Sequence, residues 1–530
     1  MEEVDRPQFH AALERFLLLV LVLLALAARL VPGPRTVDDA YITFRYARNL
    51  VEGRGFVYNL GERVLGTTTP LYTLLLSGLA FVTGRCDFPA MAMAVNGLAG
   101  AVSVLLLYHL GRRFSGQRAV GAAAALLWAL APHSVTFAIG GMETDLTIAL
   151  ILAAFLAHLA RCTLWMALYT ALAFLARPDT LIATGPLFLD LWIVRRRFPW
   201  RETGVALGSL APWLLFAILY FGNPLPASIA AKSAAYRLPP TADLVRLLQH
   251  YATPFSEFRV LPPLGVVLVF GLYVGLSALG GRAAFWHTPR TWVISLYPFT
   301  YAIVFALANP LLFRWYLSPP LPAYFLLILT GVWKAASDLG KLVAGRSTLD
   351  TRHSMLDVRC RRLPSGIQYP VCLFALFTTA VLTLTLNAWA LHPDHGPGRP
   401  APEMAWFELE LLYARAADIV GAQAREGDTL CAGDIGVLGY RTGLRILDTV
   451  GLVTPQAHRY YPADPAIYVI NYAIPADLVL NLDPDYVVIL EVYGRRGLLP
   501  DPRFQARYRL LERIATDIYG SEGMLVFGRR

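Results

Sequence analysis

The sequence predicts a polytopic α-helical membrane protein with a C-terminal α/β domain outside the bilayer. Three observations predict it. Hydrophobic residues make up 56% of the 530 and charged residues 16%, with a mean hydropathy of +0.50, so lipid is the main solvent. The apolar residues collect into about eleven runs that read as spans. Lysine and arginine, which bring the net charge to +9, fall in short clusters between those runs, as the positive-inside rule expects. That distribution also argues against nucleic acid as a partner.

The first run, 16–31, follows Arg15. Its small residues Ala25, Ala27 and Ala28 would suit a cleaved signal peptide, but many further runs follow, so it reads as an uncleaved anchor. The remaining spans are expected at 90–110, 119–130, 146–160, 164–176, 181–194, 205–221, 264–279, 292–307, 316–332 and 371–391. The segment 70–82, "PLYTLLLSGLAFV", has about 13 residues, too few for an untilted span, and fits a re-entrant or interfacial helix.

With 70–82 left out of the count, Arg6 and Arg15, Arg112, Arg113 and Arg118, Arg161, Arg195 to Arg197 with Arg201, Arg282 and Arg290, and the stretch from Lys334 to Arg362 share one side. That side is the cytoplasm, and the N-terminus lies there. The other side receives the Asp38/Asp39 loop, "GGMETD", "ARPD", "FGNPLPASIAAKSAAY", "NPLLFRWY" and everything after Leu391.

From about His392 the composition changes to Pro, charges and short apolar runs such as "DTLCAGDIGVLGY", "PDYVVILEV" and "GMLVFG", which read as a soluble α/β domain. The expected division is a transmembrane module at 1–395, with its first outer loop at 32–89, and an outer domain at 396–530. The basic stretch 334–362 reads as a solvated cytoplasmic loop. The five cysteines, Cys86, Cys162, Cys360, Cys372 and Cys431, lack metal-site or disulfide spacing and read as buried, inert thiols.

The polar residues of the outer loops carry the chemistry. After Asp38 and Asp39, Tyr41, Phe44, Ala47 and Val51 recur at helical spacing, so 40–51 reads as an amphipathic helix on the membrane surface. One Asp suffices to cap that helix. The other is a candidate general base or metal ligand, because ionisable groups at a membrane boundary are costly. Glu143 and Asp145 form a second acidic pair, either caps or a weak metal motif without a neighbouring His, and they leave a divalent metal open. Lys232, Arg177 and Arg314 are cations at outer helix ends. Each alone suits a snorkelling anchor. Together, acids and bases at headgroup depth suit a reaction on a lipid-linked phosphate, with an acid activating a hydroxyl and a cation neutralising the leaving group. Neither a P-loop nor a GxGxxG occurs.

The stretch "DDAYITFRYARNLVEGRGFVYNLGERVLGTTTPLYTLLL", followed by "GMETDL", "ARPD", "NPLPASIAAK" and "GDIGVLGYRTGLRILDTVGLVTP", resembles the GT-C superfamily of integral-membrane glycosyltransferases. Nearest are the polyprenyl-phosphate-dependent arabinofuranosyltransferases of actinobacterial cell-wall synthesis and their bacterial relatives, with protein mannosyltransferases more distant. The resemblance implies a GT-C helical module in the bacterial cytoplasmic membrane, an essential Asp in the first outer loop and a polyprenyl-phosphate sugar donor. By position that Asp is Asp38 or Asp39, with Asp38 preferred as the first of the pair. Glu143 falls on an acidic second-loop motif, and Lys232 on a loop taken to face phosphate. The implied reaction moves a glycosyl residue, arabinofuranosyl or mannosyl, to a hydroxyl on an envelope glycan, lipid or protein. "GTTTP" departs from the family pattern, which leaves sugar and acceptor unspecified. A transporter or flippase of lipid-linked sugars is the alternative, disfavoured because the notable charges cluster at one face and no repeat is visible. A membrane-tethered binding protein is the third reading.

Overall fold

The computed structural model describes residues 6–256, 261–350, 365–388 and 405–530. Each run expected to span overlaps a helix, although the helix in 316–332 begins only at Leu321 and the end of 371–391 lies outside the described residues. Among the described residues, six helices rather than eleven are long and apolar enough to cross a membrane: Ala11–Leu30, Phe88–Ser115, Trp200–Phe221, Pro263–His287, Pro289–Ala308 and Pro370–Asn387. A seventh span results if Arg118–Leu130 and Pro132–Ile139, bent by 43°, are taken together. The break falls at Pro132, which has no N–H to continue the helical ladder. Thr144–Leu159, Thr163–Ala176 and Leu181–Arg195 are shorter, at 16, 14 and 15 residues. The 70–82 segment is the 14-residue helix Pro70–Thr83, closed by left-handed Gly84.

One helix runs from Leu321 to Asp350, so the start of the basic stretch is helical, not a loop; the rest of it, to Arg362, lies outside the described residues. Gly331 on this helix meets the backbone of Leu276 on Pro263–His287, an approach that a Cβ would block. The thiols also differ from expectation: Cys431 is buried, whereas Cys86, Cys162 and Cys372 are exposed, and Cys360 lies outside the described residues.

The C-terminal α/β domain holds five strands: β1 Thr429–Ala432, β2 Arg445–Asp448, β3 Tyr486–Leu490, β4 Tyr508–Ile514 and β5 Met524–Arg529. Their order is β2-β1-β3-β5-β4, with β1 parallel to β2 and β3, and β5 antiparallel to β3 and β4. Ile42, Tyr46, Phe56, Tyr58 and Leu65 of the first loop share one buried cluster with this domain's core.

The helix Asp38–Val51 therefore does not lie open on the membrane surface. Ala40, Ile42, Phe44, Tyr46 and Ala47 are buried, and so are Arg45 and Asn49. The reason is that its cations find carbonyl partners: Arg45 Nη2 donates to Leu444 O (2.7 Å) and Arg48 Nη1 to Tyr440 O (2.8 Å). A buried guanidinium needs such acceptors, and the domain supplies them.

Candidate active site

Neither Asp38 nor Asp39 caps its own helix. The N-cap position is Val37, and the two acids occupy the first turn. Asp38 is buried, and its carboxylate accepts the backbone N–H groups of Gly436 (2.9 Å) and Val437 (2.8 Å) at the start of the helix Gly436–Thr442. It caps a helix of the C-terminal domain instead. Burial pushes its pKa up, Asp434 and Asp39 push the same way, and the two N–H groups oppose them.

Asp39 points into open space. It lines two cavities, of about 480 and 510 Å³, and Leu311, Leu312 and Trp315 line both as well.

The first cavity is walled by Thr67 to Thr69, Glu143, Arg177, Asp179, Ser228, Lys232 and Tyr316, with Phe305, Ala308 and Pro310 forming an apolar flank. Lys232 lies on the helix Ala227–Ala235, which begins after Pro226 and is tied to the first loop by Ala227 N–H to Leu65 O (2.8 Å). Its Nζ is 3.8 Å from Asp39 Oδ2 and 4.6 Å from the centroid of Phe313, and both side chains of the ion pair remain about a quarter exposed, at 26% and 27%. Burial works against the charge of Lys232, but Asp39, Tyr316, Asp434 and Glu143 together outweigh it and raise the pKa.

Arg177 forks onto Asp179 through two bonds of 3.0 and 2.8 Å, stands 3.8 Å from Glu143 and lies 4.4 Å over Tyr316. Tyr301 holds Asp179 from the other side at 3.1 Å. The "GTTTP" stretch fits here for a steric reason. A Cβ on Gly66 would meet Val453 and the Leu452 carbonyl, and its N–H is held by Tyr46 Oη at 2.9 Å.

The second cavity lies against the C-terminal domain. Asp38, Asp39, Tyr236, Arg246, Arg314, Asp434, Asn471, Tyr493 and Tyr519 line it. Arg314 therefore faces this cavity and not the one that holds Lys232 and Arg177. Asp434 accepts from Tyr413 Oη at 2.7 Å; burial and Asp39 push its pKa up to about 6, while Tyr413 and Lys232 pull it down.

Asp145 belongs to neither cavity. Fully buried, it accepts from Arg29 Nε at 2.8 Å and Ser134 Oγ at 3.1 Å. Glu143 is the N-cap of the helix Thr144–Leu159 and lines the first cavity, while Asp145, in the first turn, faces Arg29 and Ser134 in the bundle. Sequence reasoning did not single out Asp179 or Asp434. Both lie in motifs visible in the sequence, "ARPD" and the Gly-flanked "GDIG". Among the described residues no group of three or more His, Cys, Asp or Glu is placed to hold a metal ion.

Over nearly its whole length the chain superposes on the crystal structure of ArnT from Cupriavidus metallidurans in the apo state, with a TM-score of 0.55, 13% identity and 98% of each chain covered. The chain has the GT-C fold. The same fold is matched in ArnT bound to undecaprenyl phosphate, at a TM-score of 0.52, 14% identity and 97% of each chain. In sequence the chain is 31% identical over 228 residues to the terminal beta-(1->2)-arabinofuranosyltransferase of Mycobacterium tuberculosis, covering 37% of this chain and 35% of that protein. The enzyme of the same name from Corynebacterium glutamicum is 27% identical over 232 residues, covering 37% and 33%. The chain thus aligns with about a third of the length of these relatives. Residues 404–527 match a family described as a domain of unknown function, DUF8728. The resemblance to GT-C proteins near the arabinofuranosyltransferases stands on these likenesses together.

Proposed function

We propose that this protein transfers a glycosyl residue from a polyprenyl-phosphate sugar to an acceptor hydroxyl at the outer face of a bacterial cytoplasmic membrane, with Asp39 as the general base. The observation that carries this reading is the position of Asp39, on the wall common to both cavities and 3.8 Å from the Lys232 ammonium. A base must reach the proton it removes. Asp39 has access to both cavities, whereas Asp38 reaches only the second, is buried, and has its oxygens engaged by Gly436 and Val437.

The donor lies in the first cavity, its chain along the apolar flank and its phosphate near Lys232. The acceptor oxygen bonds to the anomeric carbon while the bond from that carbon to the phosphate oxygen breaks. The bonding pair leaves with the phosphate, the hydroxyl proton goes to Asp39, and Lys232 offsets the charge that develops. Arg177, held by Asp179 and Glu143, adds a second positive centre. The capture of undecaprenyl phosphate by ArnT supports a polyprenyl-linked donor. The names of the two bacterial relatives favour arabinofuranose as the sugar. The clustering of Lys and Arg on the opposite loops supports an outward-facing site and a cytoplasmic N-terminus.

The test is transfer by the full chain in nanodiscs from a polyprenyl-phosphoryl arabinofuranose to an octyl arabinofuranoside. Asp39→Asn should lower kcat by about 10²- to 10⁴-fold while binding of undecaprenyl phosphate persists. Full transfer by a folded Asp39→Asn variant would refute the assignment.

A further inference from the structure

A third cavity, of about 560 Å³, is lined by His109, Arg112, Arg113, Leu159, His287 and Thr288. It lies at the opposite end of the bundle from the other two. The helix Thr144–Leu159 carries Glu143 of the first cavity at its N-cap and Leu159 of this one at its last position, and its 16 residues set the two about 24 Å apart. The clustering of Lys and Arg assigns this end to the cytoplasm.

The lining is basic and includes no carboxylate. Arg112 and Arg113 stand in the last turn of the helix Phe88–Ser115, and His287 closes the helix Pro263–His287. A cation at a helix C-terminus answers the helix dipole, and cytoplasmic loops collect arginine in any case. Neither reason accounts for a cavity among the cations, and the local charges do not balance. Arg112 and Arg118 share one acid, Glu14, at 3.1 and 3.4 Å, while Arg113 pairs with no carboxylate among the described residues. His287 is held by shape: its ring packs on Gly116, so closely that a Cβ there would stand 2.9 Å from the imidazole.

The neighbouring surface gives the depth. Trp286, beside His287, is 76% exposed, and Phe285 is exposed as well. Exposed aromatic rings at the end of a spanning helix mark the membrane–water interface, so the cavity opens at the level of lipid headgroups. A guanidinium matches phosphate oxygens, and the imidazoles and the Thr288 hydroxyl add further donors. A free phosphate offers the same oxygens but gives no reason for a site at that depth.

We infer that this cavity binds the phosphate of an anionic phospholipid of the cytoplasmic leaflet, with Arg113 and His287 as its principal partners. Basic pockets between transmembrane helices on that side suit such headgroups. The site is independent of the glycosyl-transfer reading, since it lies across the membrane from Asp39 and serves neither donor nor acceptor.

The experiment titrates the full chain in detergent micelles with phosphatidylglycerol, phosphatidylcholine and inorganic phosphate, and counts bound lipid by native mass spectrometry. Phosphatidylglycerol should bind about tenfold more tightly than phosphatidylcholine, the usual gain of a charge-assisted hydrogen bond. The double variant Arg113→Gln with His287→Gln should abolish that difference. Both side chains are exposed, so it should keep the unfolding temperature of the parent chain. Arg201→Gln removes an exposed cation of the same face outside the cavity and should leave the difference intact. Equal affinity of the parent chain for the two lipids overturns the inference. So does a preference that survives the double variant, or one that falls equally with Arg201→Gln. Displacement of phosphatidylglycerol by an equal concentration of inorganic phosphate would make the ligand a free phosphate and overturns the lipid assignment.

Discussion

The Asp38 carboxylate accepts the backbone N–H of Val437 at 2.8 Å, a hydrogen bond between residues 399 positions apart. With the companion bond from Gly436 it fastens the first loop to the C-terminal domain. Asp38→Ala leaves two buried N–H groups without an acceptor and should loosen this junction by about 2 kcal/mol or more. Faster amide exchange across Gly436–Thr442 is the expected readout, and an unchanged exchange rate counts against the assigned role. Asp39→Asn should leave this exchange untouched.

Lys232 faces Asp39 across the first cavity. Lys232→Met should weaken undecaprenyl phosphate binding by about tenfold or more, the usual value of a charge-assisted contact, and Lys232→Arg should restore part of it. Equal affinity in all three proteins would place the phosphate elsewhere.

Asp434 makes the stability of the C-terminal domain depend on pH. With a pKa pushed up to about 6, its carboxylate is charged above that value and neutral below it. The unfolded chain loses this proton near pH 3.9 and the folded one near 6, so folding is favoured at low pH and loses that contribution as pH rises through the window. Asp448, whose pKa burial also raises to about 6, adds to the same trend, so Asp434→Asn should remove only part of it.

The Arg29–Asp145 pair has both side chains 0% exposed. Replacing one partner strands a buried charge, so Arg29→Ala should cost about 3–5 kcal/mol. The double variant Arg29→Met with Asp145→Leu should recover most of that in thermal unfolding and still catalyse transfer. Loss of transfer in a stable double variant would return Asp145 to the site.

The helices and the polar face of the site are legible in the sequence because hydrophobic runs and Lys/Arg clusters are local signals. Lys232, Arg177 and Glu143 stand in short motifs and do meet in one cavity. The different surroundings of Asp38 and Asp39 were not legible, since the partners of Asp38 are N–H groups 398 and 399 residues away. Nor was the burial of the amphipathic helix, whose Arg45 and Arg48 find carbonyls at Leu444 and Tyr440 that no periodicity announces. Glu143 and Asp145 looked alike on paper, and Arg29, on a distant helix, separates them.

The bond from Asp38 to Val437 also has a schedule. At about 5–20 residues per second, a ribosome that has just made Asp38 needs roughly 20–80 s to reach the partners that fasten it. Until then Asp39 and Lys232 exist without the wall that the C-terminal domain supplies to the second cavity. In a newly made chain the first loop thus waits for its last domain before Asp38 is satisfied, and truncated products of interrupted translation keep that carboxylate without Gly436 and Val437.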